Sequence, residues 1–401
     1  MKIVFVSTFT PATNYTRDLS RYFYKILKPR DELFLCGRKV EEIQDNDEPQ
    51  VDHVWSRDLS FVFTILKYVL ERRPDVVHLQ HEIKMFGGII TSMLYPWLLF
   101  LIRLFGFPVV VTIHGVVSPK QIDEKFLESF NVGYTPLKQF VVKLFFRYIY
   151  SFILFFSNKV TVHAPALREI LVDEYGGGKN RVVVISHGIR EVKNVDRIPA
   201  RLSILKKYPA VKGKKVILVF GYFSPRKGYE FLIQALSTAF EMGVKRNGVV
   251  LALVGDVKDE FKPYKRKVLR LIRKEKMEKN VLITGYVDDN EIDEFYRYSY
   301  VVLIPAIISF NTSGSLSLSL AYQKPLLVSD VKPLGREVSE NDFGLLYEPD
   351  NVDSCAKQIA RIMTEKRLYE SMKKKLSGSV GKRYWTRISK EHYSLYEKLS
   401  S

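Results

Sequence analysis

Short apolar runs rich in Val, Ile and Leu recur along this chain, each separated from the next by a longer stretch of helical spacing. They fall at residues 3–6, 76–79, 109–113, 159–162 and 182–185, then again at 216–220, 249–254, 281–284, 301–304 and 326–328. A strand covered on both faces has to be apolar throughout, and a parallel neighbour is reached only through a long crossover, usually a helix. The pattern therefore predicts an α/β protein with two doubly wound, Rossmann-like parallel-sheet domains. Residues 190–214 are charged, carry Pro199 and Pro209 and lack a long apolar run, so the hinge is expected near residue 195. The expected division is residues 1–195, residues 196–380 and a terminal segment, residues 381–401.

A chain of 401 residues is long enough for two such domains, and 46% hydrophobic with 26% charged residues is a globular composition. Cys36 and Cys355 are the only cysteines; nothing resembles a disulfide framework or a metal-knuckle spacing, and a reducing, cytoplasmic setting fits. The net charge of +18 implies phosphate-rich partners without choosing among them. Nucleic acid is not expected. The basic run from Lys258 to Lys279 is diluted by Glu275 and Glu278, and Val268, Leu269, Leu271 and Ile272 give it the apolar face of a solvated surface helix.

Between Glu128 and Glu169 there is no acidic residue, while Lys138, Lys143 and Arg147 interleave with Phe140, Phe145, Phe146, Tyr148, Tyr150, Phe152, Phe155 and Phe156. A basic aromatic helix of this kind can lie on an anionic membrane surface. It can equally be a buried helix with snorkelling cations. Residues 89–107 are broken by Pro96 and Arg103 and read as a core helix leading into a buried strand, so no membrane span is expected; the start of the chain shows no export-type cleavage site.

Ligands of open parallel sheets bind beyond the carboxyl ends of the strands, so the residues just after each run carry the functional reading. After residues 216–220 the chain reads Gly221-Tyr-Phe-Ser-Pro-Arg-Lys-Gly-Tyr-Glu-Phe-Leu-Ile-Gln-Ala235. Gly221 lets the chain leave the strand, Arg226 and Lys227 bring positive charge, and Gly228 lets backbone come close to a bound group. Phe231, Leu232, Ala235 and Leu236 share one face of a following helix, whose N-terminal end is positive. A diphosphate suits that turn, although a solvated turn uses the same residues. Elsewhere the strand ends offer His81, His114, His163, His187, Gly255-Asp256 and residues 305–315. The first run is followed by Ser7-Thr8-Phe9-Thr10-Pro11 rather than a glycine-rich fingerprint, which argues against a dinucleotide oxidoreductase.

The order of these segments resembles the retaining glycosyltransferases of family 4. The resemblance rests on Val109 to Gly115 ending in His114-Gly115, His187-Gly188-Ile189, the turn from Gly221 to Ala235, Gly255-Asp256, Gly285-Tyr286, Ser313-Gly314-Ser315, and the stretch from Ala321 through Pro325 to Asp330, and it spans nearly the whole chain. It implies the GT-B fold, two Rossmann-like domains facing across a cleft. The first would take the acceptor and the second the nucleotide-sugar donor, with the terminal segment carrying Tyr384 and Trp385 crossing back to the first domain. It also implies sugar transfer from a nucleotide diphosphate donor with retained configuration and no cofactor or dissolved metal. By the same resemblance Lys227 would meet the leaving diphosphate, His114 the reacting sugar, and Glu337 the sugar hydroxyls, though Glu337 beside Arg336 also suits a surface ion pair. The first basic residue usual after the glycine is Tyr222 here, and Arg226 is expected to take over its charge.

The chain departs from the family pattern where two glutamates usually precede the Ala-x-x-x-Pro segment; those places hold Phe310 and Leu318. Neither accepts a hydroxyl hydrogen bond. The run Asn311-Thr312-Ser313-Gly314-Ser315 is then expected to supply donor binding together with Gly221 and Gly228, although an ordinary helix cap has the same composition. The usual glycine pair in the first loop is absent, so Thr13, Asn14 and Tyr15 are expected to contact the acceptor through side chains, with His81 as a further acceptor-side or structural residue. The acceptor is expected to be a carbohydrate or a lipid-linked molecule at the cytoplasmic membrane surface. The competing expectation is a noncatalytic carbohydrate or lipid-phosphate binding module of the same fold.

Overall fold

The computed structural model describes residues 1–9, 15–39, 50–83, 85–130, 132–193, 195, 203–311 and 313–400, apart from the side chain of Arg226. Thr13, Asn14 and Thr312 lie outside the described residues, and so do most of the residues around the expected hinge. The chain divides into two compact units, residues 1–188 with 383–401, and residues 189–382.

The first unit is built on a seven-stranded sheet of order β3-β2-β1-β4-β5-β6-β7. Its strands are β1 (Lys2–Val6), β2 (Glu32–Arg38), β3 (Val51–Trp55), β4 (Val76–His81), β5 (Val109–Ile113), β6 (Lys159–Val162) and β7 (Val182–Val184), every pair parallel. The second unit holds a six-stranded parallel sheet of order β10-β9-β8-β11-β12-β13, with β8 (Lys215–Phe220), β9 (Val249–Val254), β10 (Val281–Ile283), β11 (Val301–Ile304), β12 (Leu326–Ser329) and β13 (Gly344–Tyr347). In both sheets the chain order reverses beside the first strand of the unit. That is the switch point at which strand ends diverge and a ligand can enter.

Three strands are less plainly marked than the others: β3 carries Asp52 and His53, and the apolar stretches of β2 (Leu33 to Cys36) and β13 (Leu345 to Tyr347) hold no Val or Ile. β3 and β13 are sheet edges, and β2 carries charged ends and a register shift at Gly37. A strand with one covered face, or a bulge, does not need continuous Val and Ile.

Around the first sheet the relevant helices are α1 (Tyr15–Tyr24), α2 (Phe61–Arg72), α3 (Ile89–Leu104), α4 (Glu124–Ser129) and α5 (Pro136–Phe156). The terminal helix Trp385–Ser400 belongs to this unit too, and buries Trp385, Ile388 and Tyr396 in one core with Phe5, Leu19 and Phe23. The expectation that residues 89–107 form a core helix needs correction. Tyr95, Leu98, Leu99 and Ile102 are buried, but Ile89, Ile90, Met93 and Trp97 face outward. Among the described residues, the helix long and apolar enough to cross a membrane, by length and composition, is instead α5.

Candidate active site

In the second unit the phosphate-type turn forms at the end of β8. Gly221 sits at φ +128°, a region that L side chains avoid, and its N–H donates to Val254 O at 3.0 Å. A Cβ there would lie 3.1 Å from Lys227 Nζ, so the missing side chain makes room for the lysine to fold back. Lys227 Nζ donates to Phe220 O at 3.0 Å, and Ser315 Oγ donates to the same carbonyl at 3.2 Å. One carbonyl at the strand end thus gathers the ammonium and the hydroxyl. Pro225–Lys227 form one 3₁₀ turn, Gly228 takes φ +54° as the joint, and the helix Tyr229–Glu241 starts directly after it. A Cβ on Gly228 would meet nothing closer than 3.9 Å, so conformation rather than crowding requires the glycine.

Gly255 completes the turn. It follows β9 at φ +143°, and a Cβ on it would stand 2.3 Å from Gly221 O, a backbone contact that cannot give way. In the Asn311–Ser315 segment, Asn311 Oδ1 accepts from Ser313 N at 3.2 Å, Ser313 takes φ +59°, and the helix Gly314–Ala321 begins there. Asn311 thus shapes the loop while Ser315 reaches Phe220. Glu337 is buried on the helix Leu334–Glu340, and Arg336 pairs with Glu340 at 2.6 Å.

In the first unit, strand ends bring histidines together. His163 Nδ1 lies 3.1 Å from Ile185 O, His163 Nε2 lies 3.1 Å from His114 Nδ1, and His114 Nε2 lies 2.8 Å from the Gln80 side-chain amide. Gln80 continues to His78 Nε2 at 3.2 Å, and Tyr396 OH meets His78 Nδ1 at 2.5 Å. Tyr15 stands among these groups. Its ring centroid is 4.8 Å from those of His114 and His163, 5.0 Å from His187 and 5.1 Å from Trp385, while its hydroxyl meets His392 Nε2 at 3.1 Å.

Burial fixes the protonation of this network. It pushes His114 down to about 3 and His187 to about 4, with neighbouring charge adding to the effect, and holds His78 and His163 well below the ordinary imidazole value. The imidazoles are therefore neutral at physiological pH, each with one donor and one acceptor nitrogen. Ile185 O only accepts, so His163 carries its hydrogen on Nδ1 and offers a bare Nε2. His114 must then donate from Nδ1, leaving its Nε2 bare toward Gln80. With the amide oxygen facing His114, one imidazole of the pair would have to be charged; with both neutral, the amide turns so that its NH₂ donates to His114. The freed Gln80 oxygen then faces the Nε2–H of His78, which Thr112 Oγ1 approaches more closely, at 2.7 Å, and Tyr396 donates to His78 Nδ1.

His81 is set apart by its environment. It is buried, its ring lies 5.1 Å from Tyr95, and its Nδ1 has no partner among the described residues. Gln80, one of the strand-end residues of the segment Gln80-His81-Glu82, joins His78, Tyr396 and His392 in completing the network. The last three were not singled out from sequence, and the signal for His78 was the Val-Val-His-Leu-Gln-His alternation of β4, which aims residues 78 and 80 to one side of the sheet. Gly188 was read as part of a motif, and the structure supplies its reason: a Cβ would sit 2.2 Å from the Trp385 ring.

Two Rossmann-like parallel sheets, with a glycine-lined basic turn in one unit and a histidine cluster at the strand ends of the other, define a GT-B protein. Residues 29–192 match the model of Glycosyltransferase Family 4, and residues 200–377 match that of Glycosyl transferases group 1. The chain belongs to the group 1 glycosyltransferases. It is similar to an uncharacterized glycosyltransferase, MJ1607 of Methanocaldococcus jannaschii, at 24% identity over 249 residues, 60% of each chain. Mannosylfructose-phosphate synthase of Agrobacterium fabrum is 21% identical over 243 residues, 60% of this chain and 53% of that one. These matches thus span little more than half the length of the curated relatives. Among solved structures, HepE of Anabaena in complex with UDP has a TM-score of 0.73 at 16% identity, covering 99% of this chain and 100% of that one. Sucrose-phosphate synthase of Thermosynechococcus elongatus has a TM-score of 0.72 at 17% identity, covering 100% and 99%.

Proposed function

We propose that this protein transfers a sugar, with retained configuration, from a nucleotide diphosphate donor to a carbohydrate or lipid-linked acceptor at the cytoplasmic face of a membrane. The observation that carries the donor reading is the convergence of Lys227 Nζ and Ser315 Oγ on Phe220 O, at a turn with glycines on both sides. When the glycosidic bond breaks, negative charge grows on the leaving diphosphate. A cation already held there, with helix N–H groups beside it, stabilises the transition state more than the ground state. Lys227, with Arg226 beside it in sequence, takes that role. Gly221, Gly228 and Gly255 allow the close backbone approach, while Asn311, Thr312, Ser313, Gly314, Ser315 and Glu337 hold the sugar and nucleotide. No metal is needed in this reading, because Lys227 and Arg226 supply the positive charge that neutralises the diphosphate.

His114 is assigned to the sugar side of the reaction as a neutral, rigidly held imidazole, and Tyr15, with Thr13, Asn14 and His81, to the acceptor side. The complexes of HepE with UDP, and with UDP and glucose, support a uridine donor as the first to test. The test is thermal denaturation with UDP, GDP, ADP and their sugar conjugates. One nucleotide series should raise the unfolding temperature, by an amount equivalent to about 2.7 kcal/mol at a hundredfold excess over Kd. Absence of a shift with every nucleotide would overturn the donor assignment and favour a noncatalytic binding module.

A further inference from the structure

α3 and α5 pack side by side, yet each turns a broad apolar surface outward. Leu137, Phe140, Val141, Leu144 and Phe155 of α5 are each more than half exposed, as are Ile89, Ile90 and Trp97 of α3. More than half of the exposed large hydrophobic side chains among the described residues lie on these two helices. A surface of this kind is unusual for a soluble monomer. The spacing on α5 sorts its residues into three sectors. Phe146, Ile149, Tyr150 and Ile153 form the buried face, the exposed stripe of Leu137, Val141, Leu144 and Phe155 lies opposite, and Lys138, Lys143 and Arg147 fall on the flanks between.

Between the helices the surface is concave. Where α4 meets them, a groove of about 510 Å³ is lined by Ile89, Met93, Phe126, Val141, Phe145 and their apolar neighbours, with almost no polar lining. A second apolar depression of about 240 Å³ continues along the same seam between Trp97 and Phe152, and Tyr148 lines both. The charges select the partner. α3 and α5 together carry Arg103, Lys138, Lys143 and Arg147 and no acidic residue; Glu124 and Glu128 are exposed on α4, whose Phe126 and Leu127 turn into the groove.

We propose that α3 and α5 seat the first unit on an anionic lipid bilayer, with the groove between α3, α4 and α5 taking a lipid acyl chain. The exposed stripe then lies at the level of the acyl chains, while Lys138, Lys143 and Arg147 meet headgroup phosphates on either side. The proposal deepens the membrane-surface part of the function proposed above and identifies the surface that performs it.

The chain reports on this itself, because Trp97 is exposed while Trp55 and Trp385, the other two tryptophans, are buried. The experiment floats the full chain with vesicles of phosphatidylglycerol and phosphatidylcholine in equal parts, or of phosphatidylcholine alone, and measures quenching of tryptophan fluorescence by acyl-brominated lipids. Co-flotation with the anionic vesicles and quenching are expected, with Lys138→Gln and Arg147→Gln each weakening binding about fivefold. Leu144→Glu and Phe140→Glu, at exposed positions that leave the core intact, should abolish both signals while the unfolding temperature stays unchanged. Flotation without quenching, vesicle binding indifferent to Leu144→Glu, or self-association of the chain in place of vesicle binding would each overturn the proposal. Nucleotide binding measured on the same samples separates the readings. Its survival without vesicle binding sinks the membrane seat alone, and its loss in wild-type protein sinks the transferase reading.

Discussion

His163 Nε2 lies 3.1 Å from His114 Nδ1, and the hydrogen in that bond belongs to His114, because the other nitrogen of His163 must donate to Ile185 O. The tautomer of the residue assigned to the sugar is thus set from two strands away, with Gln80 closing the other end. Gln80→Glu puts an acceptor-only group beside His114 Nε2 and so requires a hydrogen there. The His114–His163 pair can then satisfy all its partners only by holding an extra proton. The variant should titrate an imidazole within this pair much closer to neutrality than in wild type, followed by nitrogen chemical shifts of labelled histidine. An unchanged titration would mean that Gln80 does not polarise the chain.

Acid should destabilise the first unit before most carboxylates protonate. Six of the seven histidines, His78, His81, His114, His163, His187 and His392, are held below the ordinary value of 6.5 chiefly by burial. Their folded values lie under the unfolded ones, so the unfolded state binds more protons. Their contribution is fully present above about pH 6.5 and is lost as pH falls through the folded values, about 4 for His81 and His187 and about 3 for His114 and His392, by up to about 1.4 kcal/mol per pH unit for each histidine. Denaturant titrations at descending pH should show a steep loss of stability across that window. A flat profile from neutrality down to the carboxylate range would contradict the neutral network.

Gly255 and Gly243 both have positive φ, but only Gly255 abuts backbone. Gly243→Ala meets open space and should cost about 1 kcal/mol through conformation alone. Gly255→Ala adds a methyl 2.3 Å from Gly221 O and should cost more, with a further loss of nucleotide affinity because the turn has to open. Equal destabilisation of the two variants would show that the close approach is not needed.

Gly188→Ala is expected to loosen the terminal helix. The new methyl would lie 2.2 Å from the Trp385 ring, so the cost is about 1–3 kcal/mol or more unless Trp385 moves. Combining it with Trp385→Phe should recover part of the loss, a coupling that a double-mutant cycle measures directly. Additive effects would mean that the two residues do not share this contact.

The α/β class and ten of the thirteen strands among the described residues were legible because strands covered on both faces leave uninterrupted apolar runs. β2, β3 and β13 were not, since β3 carries Asp52 and His53 at a sheet edge while the short apolar stretches of β2 and β13 hold no Val or Ile. The turn from Gly221 to Gly228 could be read because its residue types are dictated by local backbone conformation. Its contact with Ser315 could not, because nothing local in sequence records that two side chains 88 positions apart share the Phe220 carbonyl. The histidine cluster was half legible: strand-end His114 and His163 stood out, while Tyr396 and His392 reach it from the terminal helix, far along the chain. The outward face of α3 was hidden, and that of α5 was left between two readings, for a different reason. Composition alone does not separate an apolar helix that is buried from one that awaits another surface.

Lys227 is the cation assigned to the leaving diphosphate, and the most direct test of that role is donor turnover by wild type, Lys227→Ala and Lys227→Arg at saturating donor. Lys227→Ala should lose roughly a hundredfold or more in kcat, about 3 kcal/mol of barrier, while remaining folded and still binding nucleotide. Lys227→Arg should keep part of the rate, because the charge remains. Full turnover in a folded Lys227→Ala protein would contradict the assignment and move the diphosphate away from the end of β8.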